Sequence, residues 1–293
     1  MALEIELKLL LATKQPQHTI AALAAFVQRL GATLGEPVSL LNAYFETADH
    51  WFRRHDCGLR TRQKHDRFEQ TIKLSGQQQG AMHVRPEYNV PCQGVVPQLA
   101  DFPDNIWPQA TDVSLLQSQL VEVFRTDFQR RKALINRDGS QIELVLDLGE
   151  VIANGQTEAI AEIELELIDG APHHLFVVAH ELLATLPLLA GFQSKAERGY
   201  RLAQQQPLQW LDVSQASSSA ELVKVLLTNQ LLAERSGAID SLLRDWQVAR
   251  QRLLSDAQLP ETLRQQLAAL AADADLAARQ HWLLAYTQAQ LTL

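Results

Sequence analysis

The sequence is short of several things at once. It holds two cysteines, Cys57 and Cys92, in 293 residues. Two thiols make neither a disulfide framework nor a zinc site, so they read as small buried residues in a reducing compartment. Base is short as well: Lys and Arg number 26 against 34 Asp and Glu, for a net charge of −8. That balance argues against non-specific nucleic-acid binding but leaves room for a local basic pocket. Neither GxxxxGK[ST] nor GxGxxG occurs, so any phosphate ligand must be held by side chains. No uncharged apolar run is long enough to span a bilayer. Glu4, Glu6 and Lys8, at the very start, are foreign to a signal peptide. These absences predict a soluble cytoplasmic protein with no nucleic-acid or membrane partner.

What the chain has in quantity is alternation. A strand sends successive side chains to opposite faces. Residues 3–9 therefore place Glu4, Glu6 and Lys8 on one face and Leu3, Ile5, Leu7 and Leu9 on the other. Later segments repeat the pattern. Arg60 and Arg62 share a face, as do Glu69, Thr71 and Lys73, and His83, Arg85 and Glu87. Arg130 and Lys132 side with Phe128. Glu143, Val145 and Asp147 oppose Ile142, Leu144, Leu146 and Leu148; Glu162, Glu164 and Glu166 oppose Ile163, Leu165 and Leu167. Pro86 cannot donate to a ladder, which predicts an edge or a bulge there. Helices are predicted at 17–31 and 172–186, a short helical turn at 49–54, and helical and loop-like chain over 97–122. The expected class is α+β, with about eight strands, enough to close a barrel around a small ligand.

Composition shifts near residue 204. Three glutamines and Pro207, then Ser217, Ser218 and Ser219, suggest a linker. Beyond it, helical spacing predicts helices at 219–235, 238–255 and 260–290, with Ser219 as an N-cap and Pro260 opening the last. The predicted division is a catalytic domain over 1–204 and a small all-α domain over 205–293.

A sheet with its charges outside would have an ordinary solvated face. A sheet closed with its charges inside makes a channel lined by acids and cations, which needs ligands of both signs or pairing across the lumen. Clustered carboxylates suit a hard divalent cation, Mg²⁺ or Mn²⁺. Converging Arg and Lys side chains suit a polyanion, since guanidinium forks match phosphate geometry. Metal, polyanion and cation clamp together are the equipment of phosphoryl transfer.

At this point the chain resembles a known family. Glu4-x-Glu6-x-Lys8 is similar to the ExExK signature of the CYTH superfamily, the triphosphate tunnel metalloenzymes. Seven further landmarks follow in the family's order: residues 59–62, 71–73, 85–88, 128–130, 143–147, 162–166 and 194–200. The resemblance covers about residues 1–202. Through residues 40–47 and 83–90 it leans toward the bacterial inorganic triphosphatases that carry a helical C-terminal domain. It implies an eight-stranded antiparallel tunnel that hydrolyses tripolyphosphate to pyrophosphate and phosphate with one or two Mg²⁺ or Mn²⁺ ions. It also implies roles. Lys8, Arg60, Arg62, Lys73, Arg85, Arg130, Lys195 and Arg198 would clamp the phosphates. Glu4, Glu6, Asp147, Glu162 and Glu164 would hold metal, with Glu4 or Glu6 nearest the attacking water and Lys8 among the catalytic groups. Glu87, Glu143 and Glu166 would be ligands or partners that hold arginines. His83 stays outside the site as a structural histidine, Lys132 is a rim charge, and Trp51 packs on the barrel. Trp210, Trp246 and Trp282 read as helical core.

The tail is short for this group. It holds one histidine, His281, and one lysine, Lys224, with more acids than bases. That predicts a bundle packed on the barrel or on a second copy, in a monomer or homodimer. Other functions fit the same tunnel: a class IV-type adenylate cyclase, a thiamine triphosphatase, or a polyanion-binding module without catalysis. A mere anion binder gains nothing from rows of acids, and no residue set demands an adenosine site.

Overall fold

The computed structural model describes residues 2–12, 17–79, 81–270 and 275–289. The strands are β1 (Ala2–Leu11), β2 (Val38–Glu46), β3 (Gly58–Lys64), β4 (Arg67–Lys73), β5 (Gln77–Gln79), β6 (Met82–Cys92), β7 (Val121–Arg137), β8 (Ser140–Ala153), β9 (Gln156–Asp169) and β10 (Leu188–Ala190). Their order runs β1-β9-β8-β7-β2-β3-β4-β6, and β6 pairs back with β1. The ring of eight is therefore closed, and every pairing in it is antiparallel. Short β5 and β10 attach to β6 and β1 outside the ring. Closure leaves these eight strands no free edge along the ring.

Two hairpins that build the acidic wall are written locally. Asp138-Gly139 and Asn154-Gly155 all adopt positive φ (47° and 84°, 49° and 72°). That is the type I′ turn, whose twist matches the flanking strands. It fixes the register β7–β8–β9, in which Arg130 pairs with Asp147 and Asp147 with Glu162.

The barrel is turned inside out relative to an oil-filled one. Leu7, Leu9, Ile142, Leu144, Ile163 and Leu165 point outward and are fully buried beneath helices. Each such side chain contributes about 2 kcal/mol. The helices are α1 (Gln17–Arg29), α2 (Trp51–Arg54), α3 (Val113–Ser118), α4 (His173–Leu183), α5 (Lys195–Ala203), α6 (Ser219–Ser236), α7 (Ile239–Leu254), α8 (Glu261–Ala269) and α9 (Leu276–Ala289). Leu23, Phe26 and Val27 of α1 and Leu175, Phe176 and Leu182 of α4 pack into the same core as the outward strand faces. So do Leu222 and Leu226 of α6, Trp246 and Leu253 of α7, and Trp282 and Leu283 of α9. The C-terminal helices thus pack on the barrel.

Several details differ from expectation. Pro86 lies in an interior strand: β6 pairs with β1 over Met82–Glu87 and with β4 over Glu87–Cys92. Its carbonyl accepts from the Leu74 N–H at 3.0 Å where β4 has just ended, so the missing donor coincides with the changeover. The helix expected over 260–290 is two helices. Leu270 turns extended after α8, and α9 begins at Leu276; residues 271–274 lie outside the described residues. Residue 290, the expected end of the last helix, lies outside them too. The cap of α6 is Ser218, whose hydroxyl accepts from the Glu221 N–H, so Ser219 is the first helical residue. Trp246 and Trp282 are buried, but Trp210 precedes α6 and is exposed. Arginines of the tail cap helices: Arg250 donates to the Leu267 and Ala268 carbonyls at the end of α8, at 3.0 and 2.7 Å, and Arg264 to the Leu254 carbonyl at the end of α7. These satisfy groups that helix ends leave orphaned.

Helix α5 packs against β7, β8 and β9. At Gly199 a β-carbon would fall within the Phe124 ring. Gly199→Ala should therefore cost about 1–3 kcal/mol by overpacking. A urea midpoint unchanged from the parent would show that α5 can shift at no cost.

Candidate active site

The inward faces of the eight strands line a cavity of about 810 Å³. Glu4, Glu6 and Lys8 are all buried in it, because Leu7 and Leu9 between and beside them take the outer face. The ring order sets β1, β9 and β8, the carboxylate strands, side by side. It sets β3, with Arg60 and Arg62, four strands away from β9, on the opposite wall.

On the acidic wall, carboxylate oxygens of Asp147, Glu162 and Glu164 lie within 4.8 Å of one another. Three cations knit them together. Lys8 Nζ is 2.9 Å from Glu162 and 3.4 Å from Glu6, and it also bonds Glu164. Lys195 Nζ is 2.6 Å from Asp147, 2.5 Å from Glu162 and 2.9 Å from Glu164. Arg130 forks onto Asp147 at 2.7 and 2.6 Å and reaches Glu164 at 2.8 Å. Lys195 arrives there because α5 starts where Ser194 and Glu197 form a capping box. Burial opposes charge at Glu164, but Lys195, Lys8 and Arg130 outweigh it and hold the carboxyl well below its usual range. At Lys8, likewise, Glu162 and Glu164 outweigh burial and hold the ammonium well above its ordinary range.

Toward β4 and β6, Lys73 donates to Glu4 at 2.5 and 2.7 Å and pairs with Glu87 at 2.8 Å, and Arg85 donates to Glu4 at 3.0 Å. Despite burial, Lys73 and Arg60 pull Glu87 down to about 2. Glu143 pairs with half-exposed Lys132 at the rim, at 2.6 Å. Glu166 faces Glu6 on β1 and Glu143 on β8. Burial, then Glu4, Glu143 and Glu6, push Glu166 up to about 7. Negative charge is in excess at this point of the wall, where a cation would be drawn.

The opposite wall is the reverse. Arg62 donates through Nε to Asn42 Oδ1 at 2.8 Å, and Asn42, fully buried, is anchored through Nδ2 to Thr126 at 2.7 Å. The Nε of Arg60 is buried without a partner. Neither arginine forms an ion pair among the described residues. Burial, then the charges of Arg60 and Arg130, push Arg62 down to about 9.

Arg198, like the fully buried Asp147 and Glu162, is not among the residues that line the cavity. Its guanidinium is committed to Glu158 at 2.8 Å, Glu162 at 3.1 Å and the Ala159 carbonyl. Glu158, which the alternation did not single out, also binds Arg201 and, at 3.1 Å, Arg235 of α6. Against burial, these arginines pull Glu158 down to about 2. With the folded value below the ordinary one, this stabilisation exists above about pH 4.5 and is lost as pH falls toward 2. Glu158→Gln should cost roughly 2 kcal/mol at pH 7, with the gap to the parent about halved at pH 3. Urea denaturation at the two pH values tests it, and a gap independent of pH would be the contrary result.

His83 was set aside from sequence, yet it lines the cavity, opposite Glu6 on β1, with a buried Nε2 that has no partner. Its place on the inward face with Arg85 and Glu87 was the available signal. Tyr44 and Arg53 also line the cavity. Neither belongs to an alternating charged run, so nothing in the local pattern marked them. Trp51 packs against the barrel, stacked on His55 and tilted toward Trp107.

An all-oxygen donor set with three converging carboxylates fits a hard divalent cation. Glu164 faces the cavity with Glu6 and Glu166, and its oxygens converge with those of the fully buried Asp147 and Glu162; these are the residues that would hold one.

This architecture, a closed barrel with acids and bases on opposing inner walls, has a family. Residues 2–200 match the CYTH domain, and the chain belongs to that family. It is 33% identical over 214 residues to an inorganic triphosphatase of Haemophilus influenzae, an alignment that takes in 72% of this chain and 58% of that protein. The chain thus spans little more than half the length of that relative. Among solved structures it is similar to a Hippeastrum protein described as a candidate adenylyl cyclase with a dominant triphosphatase activity, at 16% identity, 70% and 97% coverage and a TM-score of 0.47. A candidate adenylate cyclase from Bacillus halodurans is similar at 23% identity, 68% and 98% coverage and a TM-score of 0.42. No helix among the described residues is long and apolar enough to cross a membrane.

Proposed function

We propose that this protein hydrolyses inorganic tripolyphosphate to pyrophosphate and phosphate inside the tunnel, with Mg²⁺ or Mn²⁺. The observation that carries the reading is the asymmetry of the walls. Arg60 and Arg62 form no ion pair among the described residues, and they lie across the lumen from a carboxylate cluster. A polyanion between the walls completes both: guanidinium forks take phosphate oxygens on one side, and the acids on the other would hold the divalent ion that balances their charge. When bound, the divalent ion supplies Lewis-acid polarisation of the phosphate and activation of the attacking water.

The chain's own residues do the rest. Arg60 and Arg62 bind and neutralise the non-bridging oxygens, and keep doing so as charge shifts to the leaving pyrophosphate. Lys8, Lys195 and Arg130 hold the carboxylates ionised and in place. Lys73 and Arg85 fix Glu4. The buried walls exclude bulk water, which strengthens each of these interactions. The name of the Haemophilus relative supports the same substrate.

Phosphate release by the purified protein, with Mg²⁺, with Mn²⁺ and with EDTA, tests the proposal against tripolyphosphate, ATP, thiamine triphosphate and pyrophosphate. Metal-dependent turnover of tripolyphosphate well above the others is the expected result. Preferential turnover of ATP to a cyclic product, or of thiamine triphosphate, would replace the substrate. No turnover of any would leave a binding protein.

A further inference from the structure

Arg53 lines the tunnel but takes part in none of its ion pairs among the described residues. It sits on α2, whose position is set by Glu46, a fully buried acid. One Glu46 oxygen accepts from the N–H groups of Thr47 and Phe52 at 2.8 and 3.0 Å, and the other from that of Arg53 at 3.0 Å. A carboxylate committed to backbone amides locks the segment and leaves the Arg53 guanidinium uncompensated. That guanidinium lies over the ring of Tyr200, 4.8 Å from its centroid. Tyr200 in turn meets Phe124 edge-on at 5.0 Å, and Phe124 stacks on Tyr44 at 4.3 Å. The buried Tyr200 hydroxyl and the buried Arg60 Nε both lack partners. Tyr44, Arg53, Arg60 and Tyr200 line the same cavity, so the Arg53 guanidinium and these two partnerless groups share one stretch of its wall, where none of them is in an ion pair among the described residues.

Building on the hydrolase reading, we propose that Arg53, set over the ring of Tyr200, is the residue that selects an unesterified polyphosphate over a nucleoside triphosphate. A nucleoside needs an open stacking surface for its base and a neutral lining for its ribose. Here the aromatic face of Tyr200 is covered by a guanidinium, and the next contact on offer is a positive fork. A free terminal phosphate satisfies that fork with a charge-assisted pair; a ribose offers it no charge to pair with.

The test is calorimetric titration of the full chain in EDTA, which prevents turnover, with tripolyphosphate and with ATP. The parent is compared with Arg53→Met and Arg53→Lys. Arg53→Met should weaken tripolyphosphate by about ten- to a hundredfold. ATP should weaken by less than about threefold, with Arg53→Lys recovering part of the selectivity, since it keeps the charge without the planar fork. Equal weakening of both ligands, or no change in either, would overturn the proposal. Phosphate release reads the hydrolase separately. A chain that binds tripolyphosphate selectively through Arg53 without cleaving it would sink the activity and keep the selector. A hydrolase whose selectivity ignores Arg53→Met would do the opposite.

Discussion

Glu6→Gln is expected to lower kcat/KM for tripolyphosphate by about a hundredfold or more, and to raise the metal concentration needed for half-maximal rate, while leaving the melting temperature nearly unchanged. The asymmetry follows from the charge pairing along the acidic wall. Asp147, Glu162 and Glu164 are neutralised by Lys8, Lys195 and Arg130, and Glu4 by Lys73 and Arg85. Glu6 has one cation, Lys8, at the long distance of 3.4 Å, and otherwise faces Glu166 and His83. Its charge is not needed to balance a neighbour, so removing it should hardly disturb the fold. It is the charge most available to a metal. The isosteric amide keeps the volume. Paired kinetic and thermal measurements decide: normal turnover with normal metal dependence would take Glu6 out of the site, and a large fall in melting temperature would make it a structural partner.

Much of the barrel was legible because alternation is a physical requirement of a sheet buried on one face. Charged residues at every second position from Glu4 to Glu166 could share a face only if the strands were regular, and closure then put that face inside. The order of strands around the ring is not written in the alternation and is seen only in the structure. Three-residue β5 and β10 carry no periodicity to read. The break after Leu270 has no glycine or proline to announce it, and Ser217, Ser218 and Ser219 are interchangeable as caps until Glu221 at the third helical position chooses Ser218.

The site was legible in its members and opaque in its pairings. Residue types showed that acids and bases would meet. They could not show that Arg198 is bound up with Glu158, that His83 opposes Glu6, or that Arg60 and Arg62 form no ion pair among the described residues. Those facts depend on strands far apart in the chain becoming neighbours or opposites in the ring.

The largest consequence of that opposition falls on Arg62. Arg62→Met should cut kcat/KM by about a hundred- to a thousandfold, yet raise the melting temperature of the ligand-free protein by about 2–5 °C. In the fold its guanidinium is buried beside Arg60 and Arg130 and pushed down to about 9, far below the ordinary arginine range. A base with a lowered folded value is a cation the fold disfavours, and that cost is present in full at neutral pH. Methionine keeps much of the stem and removes the charge. The Asn42 oxygen, left without its donor, offsets part of the gain. Tripolyphosphate should reverse the order, because the anion stabilises only a protein that can answer it. Melting curves with and without tripolyphosphate in EDTA read both effects at once. A variant that melts lower than the parent without anion would make Arg62 a structural partner. One that gains as much from tripolyphosphate as the parent would place the anion elsewhere. Crossing curves would mean that the fold holds an unfavourable cation in place for its ligand.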